Sequence, residues 1–398
     1  MRRRWLGVLA AGGALLLGLS GPVLAVNGDG IDGIDGEFTP KSIIQRQLDE
    51  LSLEAVEEFV AGLDEEVKGH LPPLDLARLI FEGDGIDLGR LTASLLGVFW
   101  GEVGLNVSLL GQLVLLGVLC ALLRNVVQAA GGTEAVDVAF MLSLLVLLLL
   151  GLQAFRAAVE LAAGTLRSMV DFMHAMLPPL ATMLAAAGAV TSAAVFHPIL
   201  YVTVTAIATL IDAVLIPAVF ASAALAVIGS ISRDFPVKSL EGMLRTAMMT
   251  MLGMCFIAFF AVVQVRGAIA PVADGFAFRT AKFLTGTFVP LVGGRIADAM
   301  DVIVGGSALI KNALGAFGMG TIAVMTAFPL VKLLSILAVF RLAGALIEPI
   351  TDPRLVQAIS GLAGSVTLLV AGLITAALMF FVAITVVVGV GNTAAVMR

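Results

Sequence analysis

The sequence predicts an all-α polytopic membrane protein behind a cleavable signal peptide, and three observations predict it. The first is composition. Of 398 residues, 60% are hydrophobic and only 13% are charged, where soluble domains carry about 25% charged residues. Mean hydropathy is +1.07; a soluble fold could not hide that much apolar surface, so the bilayer is the solvent. The second is a series of apolar stretches near the ~20 residues that cross a bilayer. The third is the amino terminus, which reads as an export signal.

Arg2, Arg3 and Arg4 form a basic region, Trp5 to Leu19 is apolar, and Gly21-Pro22 breaks it. Val23-Leu24-Ala25 ends in a small residue suited to signal peptidase, with cleavage expected near Ala25. An uncleaved first transmembrane helix is the other reading. Under both, the next segment starts outside the cytoplasmic membrane.

Residues 26–102 form an acidic extracytoplasmic helical segment. From Val26 to Glu102 there are 17 acids and 5 bases, and the remainder of the chain is net positive. That balance excludes nucleic acid as a partner of this segment, since phosphate binding needs clustered Lys and Arg. The run Asp29-Gly30-Ile31-Asp32-Gly33-Ile34-Asp35-Gly36 reads as a solvated linker, because its Asp spacing does not match an EF-hand loop. Residues 41–68 show apolar positions every three to four residues (Ile44, Leu48, Leu51, Val56, Phe59, Leu63, Val67), which predicts an amphipathic helix. Pro72-Pro73 ends it. Leu88 to Trp100 is amphipathic and expected to lie along the membrane surface. The segment is either a small helical domain with its own core or a docking surface for another extracytoplasmic protein.

Residues 103–155 hold the first two transmembrane helices, at 103–123 and 136–155. Further apolar stretches lie at 172–190, 197–229, 243–265, 283–294, 302–318, 319–347 and 359–391, giving about seven full spans. The later stretches repeat. Phe172 and Pro179-Leu180 match Phe283 and Pro290-Leu291 at an offset of 111 residues, Pro217 matches Pro329, and Phe259-Phe260 matches Phe380-Phe381. This predicts an internal duplication, with membrane repeat 1 at 156–266 and repeat 2 at 267–398. Pro179, Pro217, Pro290 and Pro329 are candidate helix breaks, and duplicated membrane folds place working sites at such breaks. Ordinary kinks are the plainer reading. The positive-inside rule does not give a clean topology, because Arg156, Arg167, Arg266 and Arg279 fall in loops expected outside.

Charges inside apolar stretches are costly, about 2.5–3.5 kcal/mol each on insertion scales. Asp212 lies five residues before Pro217 and Lys332 three after Pro329. They are expected to face protein or water, as a pair lining a polar path or as a structural pair. Lys311 and Asn312, in a Gly-rich stretch, and His197, before Pro198, are further candidates for lining such a path. Cys120 and Cys255 read as small buried residues. The sequence has no P-loop, GxSxG, His-Glu-x-x-His or Cys-x-x-Cys motif, so it makes no case for an enzyme, a cofactor or a metal.

The run from Gly188 to Pro198 (Gly-Ala-Val-Thr-Ser-Ala-Ala-Val-Phe-His-Pro) resembles a motif of the stage III sporulation protein AE family, as does Ile310-Lys311-Asn312-Ala313-Leu314-Gly315. The signal peptide, acidic helical leader and polytopic body match the same layout over essentially the whole chain. The resemblance implies a role in endospore formation, in the mother-cell-derived membrane around the forespore. It also implies an assembly forming a channel or feeding apparatus between the two cells. The implied partners are other stage III sporulation membrane proteins, a cytoplasmic secretion-type ATPase and extracytoplasmic ring proteins. It supplies no catalytic residue. Three functions remain open: a channel component, a non-conducting scaffold, or a secondary transporter.

Overall fold

The computed structural model describes residues 46–47, 51, 53–63, 88–129, 133–231, 237–288 and 293–396. The expected signal peptide, the Gly-Asp linker and Pro290 lie outside them. The described chain is helical, without strands. Hydrocarbon offers no water to backbone groups, so a spanning segment must satisfy its own N–H and C=O groups. The helices are α1 (Glu54–Ala61), α2 (Leu88–Ala129), α3 (Thr133–Ala186), α4 (Val190–Leu210), α5 (Ile216–Ile231), α6 (Val237–Phe288), α7 (Gly293–Ile347) and α8 (Pro353–Val396), and a π turn at Ile211–Leu215 joins α4 to α5.

Six helical stretches among the described residues are long and apolar enough to cross a membrane: Leu96–Leu122, Leu144–Ala186, Val190–Ile231, Ser239–Val265, Val302–Ile347 and Pro353–Val390. The expectation was about seven. The stretches at 302–318 and 319–347 are one helix, and 172–190 continues the helix that begins before 136. At 1.5 Å per residue the 54-residue α3 is about 80 Å long, and hydrocarbon is about 30 Å thick. Helices of this length tilt strongly or emerge from the bilayer.

Helix α8 is central and packs against α3, α4, α5, α6 and α7, whereas α2 packs against α3 and α7 alone among the spans with more than marginal contact. The core between them is filled by Phe172, Phe317, Phe328, Phe340 and Phe380, all fully buried. Small residues set the helix separations, as is usual where lipid gives no hydrophobic drive between helices. A Cβ on Gly117 would stand 2.6 Å from Ile347 Cγ2, and one on Gly151 2.8 Å from Leu362 Cδ1.

Several expectations are corrected. Pro179 and Pro329 do not break their helices: both lie inside them, in α3 and α7. Pro178 and Pro179 lack the N–H groups that would meet the His174 and Ala175 carbonyls, a loss that a packed membrane helix tolerates through neighbouring groups and local adjustment. Pro217 is preceded by the π turn, in which the Ile216 N–H reaches back to the Ile211 carbonyl. The one-residue insertion shifts the register just where the proline ring would crowd a carbonyl. The helix then continues. The true end of α3 is a Schellman motif. Gly188 has φ 77°, its N–H bonds the Ala185 carbonyl at 2.9 Å, and Ala189 N–H bonds the Leu184 carbonyl at 3.1 Å.

Leu88–Trp100 is not a separate surface helix but the first three turns of α2. The boundaries expected at 155/156 and 266/267 fall inside α3 and α6. The described part of the leader does not have a core of its own. Val56 is fully buried, Phe59 packs on Phe172 with ring centroids 5.4 Å apart, and Gln47 donates to Ser307 Oγ at 2.9 Å. These described leader residues therefore share the core of the helical bundle, at α3 and α7.

Candidate functional site: charges within an apolar bundle

Asp212 and Lys332 do not come together as the expected pair. Asp212 lies in the π turn and accepts two hydrogen bonds from Arg167 of α3, from Nη2 at 2.8 Å and Nε at 3.2 Å. The pair is on the outside of the bundle, with the two side chains 63% and 48% exposed. Lys332 is partly buried and stands 3.7 Å from Glu102 of α2. Beside it Asn106 Nδ2 reaches Ser335 Oγ at 3.5 Å. Two ion pairs thus form where one was expected. Each proline places its charge along its own helix, but the azimuth around the bundle sends the two charges to different neighbours.

Lys311 is in the interior, with no exposed surface, and its Nζ donates to the Val388 carbonyl of α8 at 2.8 Å. One turn on, Gly315 faces the same residue: a Cβ there would fall on the Val388 side chain. The Ile310–Gly315 run therefore forms a close contact of α7 with α8. Asn312 Oδ1 is buried there without a hydrogen-bond partner.

The Gly188–Pro198 run is a second junction. Gly188 ends α3, and α4 starts at Val190 with no capping side chain of its own at Ala189. The cap comes from α6. Asp274, only 2% exposed, accepts from Thr191 N–H at 2.8 Å and Ser192 N–H at 3.1 Å, and also from Ser192 Oγ. These are the N2 and N3 donors that a helix start leaves open, and a carboxylate also suits the positive end of the helix dipole. Asp274→Ala is expected to cost about 2–3 kcal/mol, since hydrogen bonds to a charged group are lost and buried donors are left unpaired. A fall in the thermal unfolding midpoint in detergent, smaller for Asp274→Asn, is the check. His197, at the other end of the run, lines a cavity of about 10 Å³ with Leu177, Leu184, Phe196 and Val387. Its Nδ1 is buried without a partner.

Sequence reading missed one further polar centre. Glu241 and Arg245 form an i,i+4 ion pair at the start of α6, and Glu241 is buried. Arg245 lies flat against Gly364 of α8, where a Cβ would fall on the guanidinium. Next to it Ser365 Oγ donates to Ser222 Oγ of α5 at 3.1 Å. The Glu-x-x-x-Arg spacing was the available signal. It straddles the start of the apolar stretch at 243–265, and Gly364 is more than a hundred residues away in sequence.

The described residues hold no cluster of three His, Cys, Asp or Glu able to bind a metal ion. The polar centres join helices. Comparison with known proteins agrees with the two motif runs. A model of the stage III sporulation protein AE family matches residues 75–391. The chain is 30% identical over 400 residues to stage III sporulation protein AE of Bacillus subtilis (strain 168), and the match covers all of both chains. No solved structure matches it. The extent of both matches places this chain in the stage III sporulation protein AE family.

Proposed function

We propose that this sporulation protein is an integral membrane component of a transport channel, or feeding apparatus, between mother cell and forespore, required for endospore formation. Its place is the mother-cell-derived membrane around the forespore. Its partners there are other stage III sporulation membrane proteins, a cytoplasmic secretion-type ATPase and extracytoplasmic ring proteins. Family membership supports the sporulation role. The observation that carries the transport reading is the Arg167–Asp212 pair. It is exposed on the outside of helices apolar enough to span a membrane. A charge pair there is too costly to leave against lipid, so it faces water or another chain. The interior of the single chain is filled with phenylalanine and aliphatic side chains, so a conduit would run between chains. The same packed interior favours a second reading, a scaffold that conducts nothing.

The test is forespore reporter activity in a sporulating strain whose only copy carries Asp212→Asn, with membrane level and partner co-purification measured in parallel. The channel reading expects activity to fall roughly tenfold or more at normal level and normal partner recovery, the loss typical of one functional polar contact. Full activity would leave the scaffold.

A further inference from the structure

The docked leader leaves a groove along its line of contact with α3. The groove has a volume of about 360 Å³ and is lined by Ala55, Glu58, Phe59, Leu63, Ser168 and Asp171 among others. Its floor is apolar, from Phe59 and Leu63, and a carboxylate stands on each wall: Glu58 from α1 and Asp171 from α3. Both acids are exposed. Neither forms an ion pair with a described basic residue, because the nearest arginine along α3, Arg167, is engaged by Asp212. Glu54 and Glu57 are exposed on the same short helix. The groove meets water, since four exposed carboxylates could not be held against hydrocarbon.

We infer that this groove is a docking site for a basic amphipathic helix of another polypeptide. Charge complementarity carries the assignment. Two carboxylates without an ion-pair partner among the described residues flank an apolar floor, and one of them, Glu58, belongs to the 26–102 segment of net charge −12. A helix with an apolar residue between two basic ones fits that arrangement: the apolar side chain fills the floor and each ammonium or guanidinium meets one wall. The volume holds two or three side chains, which suits one helical turn of contact rather than a large interface. The leader is then neither an independent domain nor a free arm. It is one wall of a composite site whose other wall is α3. The inference does not depend on the transport reading, because a scaffold could use the same groove.

The test uses the full chain in nanodiscs of zwitterionic lipid, with empty nanodiscs as baseline. The probe is a fluorescein-labelled peptide of about four helical turns, built from Lys, Ala and Leu, set against a twin with Glu in place of Lys. Wild type is expected to bind the Lys peptide and not the Glu twin, with affinity falling as salt rises. The double variant Glu58→Lys, Asp171→Lys should weaken the Lys peptide by roughly a hundredfold, about tenfold per reversed charge. Both positions are exposed, so the Val56 and Phe59 packing is kept. Ala55→Trp, which fills the groove and leaves both charges in place, should weaken it by roughly tenfold. Equal binding of the two peptides, or Lys-peptide binding unchanged in both variants, would overturn the assignment.

Discussion

Gly361→Leu is expected to give a large loss of stability, about 3 kcal/mol or more, as overpacking at a contact with no slack. At Gly361 α8 meets α5 closely. A Cβ would fall on Ala226 Cβ, with Ala226 Cα at 3.3 Å and Glu241 Oε1 at 3.7 Å. The obstructing atom is an alanine methyl fixed to its helix, so no rotamer change can make room and the two helices must separate. Separation breaks the buried Ser222–Ser365 hydrogen bond. It also lifts α8 from Arg245, whose guanidinium occupies the space that a side chain at Gly364 would take. The unfolding midpoint in detergent and resistance to protease should both drop, and the protein should be scarce in membranes. Gly253→Ala is the control. Its Cβ meets nothing within 4 Å, so it should be neutral or stabilise α6 by about 0.5–1 kcal/mol.

What the sequence makes legible here is set by range. Apolar length and spacing are local: they place 197–229, 243–265 and 359–391 within about seven residues of the spans at Val190–Ile231, Ser239–Val265 and Pro353–Val390, but divide Leu144–Ala186 and Val302–Ile347 in two. The same locality explains Pro179 and Pro329. A proline is visible as a broken rule, but whether the helix stops depends on the packing around it, and Pro179 and Pro329 both lie inside continuous helices. Pairings across the bundle are not local. Asp274 caps a helix that begins 84 residues before it, and no pattern in its own neighbourhood marks it as a cap. Asp212 and Lys332 sit at matching places in the sequence repeat, and the repeat gives no azimuth, so their partners are Arg167 and Glu102. The two runs that resemble the family are junctions: one ends α3 and starts α4, and the other clasps α7 to α8. Their glycines are explained by packing, Gly188 at positive φ and Gly315 against Val388.

Lys311 has the second large expected effect, and its size depends on what replaces it. The side chain is wholly buried and its ammonium donates to the Val388 carbonyl at 2.8 Å. Lys311→Glu would place a carboxylate against that carbonyl oxygen in a low-dielectric interior, which should cost about 3–5 kcal/mol, as for a buried charge stripped of its partner. Lys311→Ala removes the stem and leaves a void, for about 2–4 kcal/mol. Lys311→Met keeps the volume and removes both the charge and its desolvation cost, so it should stay within about 1–2 kcal/mol of wild type. The order of unfolding midpoints, Met above Ala above Glu, is the check. Glu ranking with Met would mean that water reaches position 311, and the α7–α8 junction would then be open rather than clasped. Forespore reporter activity in the Met variant addresses function at preserved fold. Wild-type activity there makes Lys311 a packing residue, whereas a tenfold loss or more, the scale of about 1.4 kcal/mol, gives its charge a role that packing does not supply.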